Sequence, residues 1–132
     1  MSLPLTAVNP PTLVPPRGYS HGMKGGGELL FVAGQVGWDR EGRMVSADFV
    51  AQFAQALDNV LAVVAAAGGG PASVARLVLY VTDKREYLAR LRELGEAYRQ
   101  RMGTHFPAMA LVEVRGLLED DARIEIEATA LL

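Results

Sequence analysis

The chain has 132 residues, half of them apolar, with a formal net charge of −2 and no cysteine. A length of 132 is that of one domain able to bury roughly two thirds of its unfolded surface. The absence of cysteine excludes disulfides, thiolate nucleophiles and cysteine metal sites, and fits a reducing, cytoplasmic compartment. The near-neutral charge supplies no field toward nucleic acid or an acidic membrane, no secretory leader is expected, and no apolar stretch is read as approaching the ~18 residues of a membrane span.

Residues 1–18 carry Pro4, Pro10, Pro11, Pro15 and Pro16. Proline removes amide donors and fixes an extended backbone, so this segment is expected to be a tethered arm with at most a short edge strand. Residues 19–24 and 28–38 flank Gly25-Gly26-Gly27, a run whose freedom at positive φ predicts a tight antiparallel hairpin. Residues 39–42 read as a turn,. From Asp48 onward, Phe49, Phe53, Ala56, Leu57, Val60, Leu61 and Val64 recur at the spacing of an amphipathic helix, which Gly68-Gly69-Gly70 and Pro71 end,.

Residues 74–82 are rich in β-branched and aromatic side chains and predict a buried strand,. Asp83 with Glu86 predicts a capping box for a second helix, whose face carries Tyr87, Leu88, Leu91, Gly95, Tyr98 and Met102 and which stops at Gly103,. Residues 108–114 and 122–131 supply two closing strands.

The resulting order β-β-β-α-β-α-β-β contains two strand-helix-strand crossovers. Such crossovers are right-handed, so both helices cover one face of a mixed sheet and the other face is bare. The expected class is α+β with two layers. In the last strand Ile124, Ile126 and Ala128 are assigned to the helices and Glu125 and Glu127 to the bare face,. In the strand before it, the small set Ala108, Ala110, Val112 and Val114 is assigned to the helices, leaving Met109 and Leu111 on the bare face. Residues 29–36 are apolar on both faces, which predicts a partner surface,.

Several ordered motifs carry a resemblance: Tyr19-Ser20, Ala33-Gly34-Gln35, Leu57-Asp58-Asn59-Val60, Ala67-Gly68, Val81-Thr82-Asp83, Pro107-Ala108, Val112-Glu113-Val114 and Ile124-Glu125-Ile126-Glu127-Ala128. Singly unspecific, in this order they resemble the Rid family, also called YjgF or L-PSP. The resemblance implies a chorismate-mutase-like fold and a homotrimer with small-molecule clefts between subunits. In the deaminase branch a cleft arginine holds the substrate carboxylate and a glutamate positions the attacking water.

By the same resemblance Tyr19 corresponds to a cleft tyrosine, Gly34 to a backbone contact and Glu125 to the water-positioning glutamate. Ala33 replaces a common serine, Leu111 a frequent cysteine, and Met109 stands where deaminases have arginine. An arginine fork presents paired N–H donors to a carboxylate, and methionine presents none. The chain is therefore expected to bind a small metabolite and, if catalytic, to hydrolyse or deaminate an imine or enamine, without being an authentic 2-iminoacid deaminase. The alternative is a non-catalytic ligand sensor or protein-interaction module.

Other cations could replace the arginine: Arg17, Arg115 and Arg123 are candidates, against the plainer reading of solvated or ion-paired side chains. Glu125 could equally belong to an interface charge ladder, Tyr19 could simply pack, and Glu113 reads as a satisfied polar residue at a seam. Asn59 is expected to hydrogen-bond a loop from within its helix. His21 and His105 are the only histidines, too few for a metal site, so no metal or cofactor is expected. Both glycine runs lack a P-loop lysine and read as turns. A third reading, endoribonuclease or translation inhibitor, has no basic footprint or histidine pair to support it.

Overall fold

The computed structural model describes residues 4–132; the first three residues of the proline-rich arm lie outside the described residues. Strands β1 (Thr6–Val8), β2 (Gly22–Lys24) and β3 (Leu29–Gln35) precede helix α1 (Phe49–Ala66). A short 3-10 turn at Pro71–Ser73 leads into β4 (Val74–Val81), followed by helices α2 (Lys84–Ala89) and α3 (Leu91–Met102) and strands β5 (Ala108–Glu113) and β6 (Ile124–Leu131). The main sheet has the order β3-β6-β4-β5, with β4 and β5 parallel and the other pairs antiparallel. It is the expected mixed sheet in a two-layer α+β arrangement.

The expected hairpin between β2 and β3 does not form. Strand β2 pairs with β1 in a small sheet of its own, and β3 pairs with β6, with Glu28 and Leu132 exchanging backbone hydrogen bonds at 2.8 and 2.9 Å. The cause lies just upstream. The Ser20 hydroxyl donates to the Phe106 carbonyl at 2.6 Å and its amide to Pro107 at 3.0 Å, which anchors the chain beside β5. Because β5 and β3 are opposite edges, the glycine run carries the chain across the sheet instead of reversing it. Asn9 accepts from the His21 amide, and His21 Nε2 lies 2.7 Å from the Val14 carbonyl, so the arm is folded back on itself.

Helix α1 begins where the apolar spacing starts: the Asp48 side chain accepts from the Ala51 amide at 3.0 Å, satisfying one of the orphan donors of the first turn,. It ends at Gly68, whose φ of +96° only glycine adopts without strain,. Phe49, Phe53, Ala56, Leu57, Val60 and Val64 are buried, and a polar residue, Gln52, is buried with them. By length and composition alone α1 could cross a membrane, contrary to the expectation that no stretch approaches that length; its mean hydropathy is 1.5 over 18 residues. Here that apolarity is used against the sheet, through contacts with β3, β6 and α3.

The second predicted helix is broken at Arg90, which has φ −124°. The Arg90 guanidinium bonds Glu93 at 2.6 Å and Asp48, the cap of α1, at 3.0 Å, so the break coincides with a tertiary ion triad. These contacts hold the Asp48 and Glu93 carboxyls below the usual carboxylate range. The capping box is also different: Asp83 accepts from the Arg85 amide, while Glu86 pairs with Arg123.

The alternation in β6 is as read, with Ile124, Ile126, Ala128 and Ala130 buried under the helices. The assignment in β5 is reversed. Met109 pairs with Leu77 and Leu111 with Leu79, and directly opposed residues share a face, so both point to the helix layer and pack on the core,. Long side chains are needed there to reach the roof formed by α2 and α3. Glu113 ends the same row and its carboxylate accepts from the Lys84 amide at 2.8 Å, capping α2.

The face without helices carries Glu125, Glu127, Tyr80 and the outer residues of β3. Leu29 and Phe31 are 61% and 76% exposed, which leaves two large apolar side chains side by side on this face. Tyr80 donates to Glu127, and this bond, with burial second, raises the phenol's pKa.

Candidate functional site

The predicted site residues fall into two groups. On the outer edge of the sheet at β5, Tyr19 stands beside Ser20, which bridges to Ala108; its ring meets His21 edge-on at 5.3 Å. Met109 and Leu111 follow on β5, half-buried. The second group lies on the opposite edge. Ala33 and Gly34 occupy an irregular stretch of β3 between Val32 and Gln35, where the register with β6 shifts.

Gly34 and Glu125 are in direct contact. A Cβ at Gly34 would lie 2.8 Å from Glu125 Cδ and closer still to Oε2. The absence of a side chain at Gly34 is therefore what lets the carboxylate lie against the backbone. Glu125 is half-buried on the bare face, and its partner across the sheet is Tyr80.

The two groups cannot meet within one chain. β3 and β5 are three strand spacings apart, roughly 14 Å, and Met109 and Glu125 point to opposite faces of the sheet. The expectation that they lie beside each other on one face is thus corrected. Among the described residues both edges are open to pairing: β3 has no strand on its outer side, and β5 has only the Ser20 bridge at its start,.

Of the replacement cations, Arg123 is engaged by Glu86, whereas Arg17 and Arg115 have no ion pair among the described residues. Arg17 lines an apolar cavity under α3. Asn59 does what was expected, donating to the Val36 and Trp38 carbonyls at 3.1 and 3.0 Å and so fixing the end of β3. His105 Nε2 lies 2.7 Å from the Val74 carbonyl and serves packing. No group of three or more His, Cys, Asp or Glu residues suited to a metal occurs among the described residues.

One positioning residue was missed. Gln52 donates from Nε2 to the Ser46 and Asp121 carbonyls at 2.9 and 3.0 Å, and its Oε1 accepts from the Arg123 amide at 2.9 Å. It ties the loop before α1 to the start of β6, two residues before Glu125. The signal was a polar residue inside the apolar stripe of α1.

A model of the family described as Endoribonuclease L-PSP matches residues 11–132. The chain is 34% identical to the 2-iminobutanoate/2-iminopropanoate deaminase of Escherichia coli K12 over 131 residues, 99% of this chain and 98% of that protein. The chain belongs to the Rid family. A RutC family protein of Pyrococcus horikoshii is 35% identical over 85% of each chain. Among solved structures, a Rid family protein from Yersinia pestis, YyfB, covers 98% of this chain and is itself covered completely, with a TM-score of 0.88 at 35% identity. The E. coli YjgF gene product is also 35% identical, with 95% of each chain covered, and has a TM-score of 0.70. The fold is accordingly the chorismate-mutase-like fold of the Rid family.

Proposed function

We propose that this Rid protein is a cytoplasmic homotrimer of single-domain chains, binding a small metabolite in clefts between its subunits. The observation that carries this reading is the division of the site: Tyr19, Met109 and Leu111 at the β5 edge, Ala33 and Gly34 at the β3 edge with Glu125 beside them on β6. A cleft that holds both groups needs the β5 edge of one chain beside the β3 edge of the next. Contacts between two different edges are head-to-tail and close into a ring when the rotation permits. The exposed Leu29 and Phe31 supply apolar area for the seam.

In the catalytic form of this reading the substrate is an imine or enamine. Glu125 takes a proton from water as the oxygen adds to the C=N carbon of the imine, or of the imine tautomer of an enamine, and returns it to the nitrogen; the hydroxyl proton of the carbinolamine then passes through the same carboxylate to nitrogen as the C–N bond breaks, releasing ammonia and leaving a carbonyl. Gly34 holds the carboxylate in place. Met109 supplies no donor for a substrate carboxylate, so the 2-iminoacids named for the E. coli relative are expected to be poor substrates. No cofactor enters the scheme, and the chain has no basic stripe that would favour RNA.

The oligomer is tested by light scattering, with a mass three times the 14.2 kDa of one chain expected at micromolar concentration. Phe31→Glu should release monomers, because burying a large apolar side chain contributes about 1.5–3 kcal/mol and an unpaired carboxylate opposes association. A monomeric wild type removes the cleft. For the site, Gly34→Ala displaces the Glu125 carboxylate, a flexible side-chain end, so turnover should fall about tenfold or more while the melting temperature moves by only a few degrees. Unchanged turnover on any imine processed by the wild type would remove Glu125 and Gly34 from the site. Saturable ligand binding with no turnover on imines or enamines would favour the sensor reading.

A further inference from the structure

The bare face of the main sheet is graded from one edge to the other. At the β3 edge it carries Leu29 and Phe31, which oppose Leu131 and Thr129 in the row of Glu125 and Glu127. At the β5 edge it carries Ala108, Ala110 and Val112. These oppose Arg76, Val78 and Tyr80 of β4, which alternate with the buried Leu77 and Leu79. Large apolar side chains therefore stand at one edge and small ones at the other.

Charge is graded along the same direction. Glu125 and Glu127 lie on β6, next to β3, and Arg76 lies on β4, next to β5. None of the three has an ion pair among the described residues. Two β3 edges brought together would set Phe31 against Phe31 and carboxylates beside carboxylates. Two β5 edges would set small residues against small ones and Arg76 beside Arg76. Only a β3 edge against a β5 edge sets large against small and the acidic half of one face beside the basic half of the next, the complementarity that fixes orientation at an interface.

We propose that the partner of this face is a second copy of the chain docked head to tail, with Leu29 and Phe31 of one chain seated on the shelf of Ala110 and Val112 of the next. The inference rests on the ring of chains put forward above and names the surfaces that join it. Ser20 bridges to Ala108 at the start of β5, so the free part of the shelf is its second half. Ala110 and Val112 are small because the neighbouring chain fills the space above them.

The chain has no cysteine, so a disulfide engineered at the seam is unambiguous. Within one chain Phe31 and Ala110 lie on opposite edges, three strand spacings or roughly 14 Å apart, whereas a disulfide needs Cα atoms within about 7 Å,. The full chain carrying Phe31→Cys and Ala110→Cys, oxidised with glutathione disulfide, should give covalent dimers and closed trimers on a non-reducing gel, at least about tenfold more than either single-cysteine variant. Val112→Cys in place of Ala110→Cys covers a register shifted by one position on the same face. Efficient cross-linking by Phe31→Cys alone or Ala110→Cys alone means that like edges meet and overturns the head-to-tail seam. No cross-link in either double variant, with light scattering still giving three chains, overturns the seam and leaves the ring standing; a monomeric mass removes both. Ala110→Phe fills the shelf without touching the core and should raise the concentration at which the assembly dissociates about tenfold or more, while Phe31→Ala added to it should recover most of that loss. An unshifted midpoint in Ala110→Phe, or losses that simply add in the double variant, overturns the pairing of these side chains.

Discussion

Met109→Arg is expected to raise kcat/KM for 2-aminoacrylate or 2-iminobutanoate by about one to two decades. The charge-assisted hydrogen bonds that arginine adds are worth roughly 1.5–3 kcal/mol, and each 1.4 kcal/mol is tenfold. The position suits the exchange: Met109 is half-buried on the edge strand β5, so the arginine stem can follow the methionine stem along the apolar floor and place its charged end outside,. If the new contact only holds the ground state, KM falls and kcat stays; if it also aligns the C=N carbon with the water at Glu125, kcat rises too. Release of ammonia or oxoacid is the readout, with melting temperature as the control for folding. Robust turnover by the wild type, equal to that of the variant, would show that this cleft does not need an arginine on β5.

The parts of the fold that were legible in the sequence are those set by local spacing. The stripe of α1 from Asp48 onward, its end at the glycine run Gly68-Gly69-Gly70 and the alternation of β6 all depend on residues close in the chain. The pairing of β2 was not legible, because it is decided by Ser20 holding to Phe106 and Pro107 across 86 and 87 positions of sequence. A glycine run permits a reversal; it does not compel one.

The faces of β5 were misread for a related reason. A strand with apolar residues on both sides carries no internal signal of which side is inward, and small residues were assigned to the helices. The parallel register with β4 decides otherwise, because it sets Met109 beside Leu77 and Leu111 beside Leu79. The consequence for function is large. With Met109 on the helix side and Glu125 on the bare side, the two groups do not meet within one chain, and Met109 lines the cavity under α3.

Gln52→Ala is expected to cost about 3–5 kcal/mol and lower the melting temperature by roughly 10–20 °C. Gln52 is fully buried and makes three hydrogen bonds, to Ser46, Asp121 and Arg123. Each bond contributes about 1 kcal/mol net, and truncation also leaves a void and two carbonyls and an amide without partners. Gln52→Met keeps most of the volume and separates the two causes: it should recover the cavity part of the loss and none of the hydrogen-bond part. Recovery to within about 1 kcal/mol would mean that water or a backbone shift satisfies the three groups. Arg123 opens the segment that carries Glu125, so releasing its amide also loosens the carboxylate held against Gly34. Any turnover present in the wild type should therefore fall in Gln52→Met at temperatures where the protein is still folded, and activity that tracks only the folded fraction would confine Gln52 to stability.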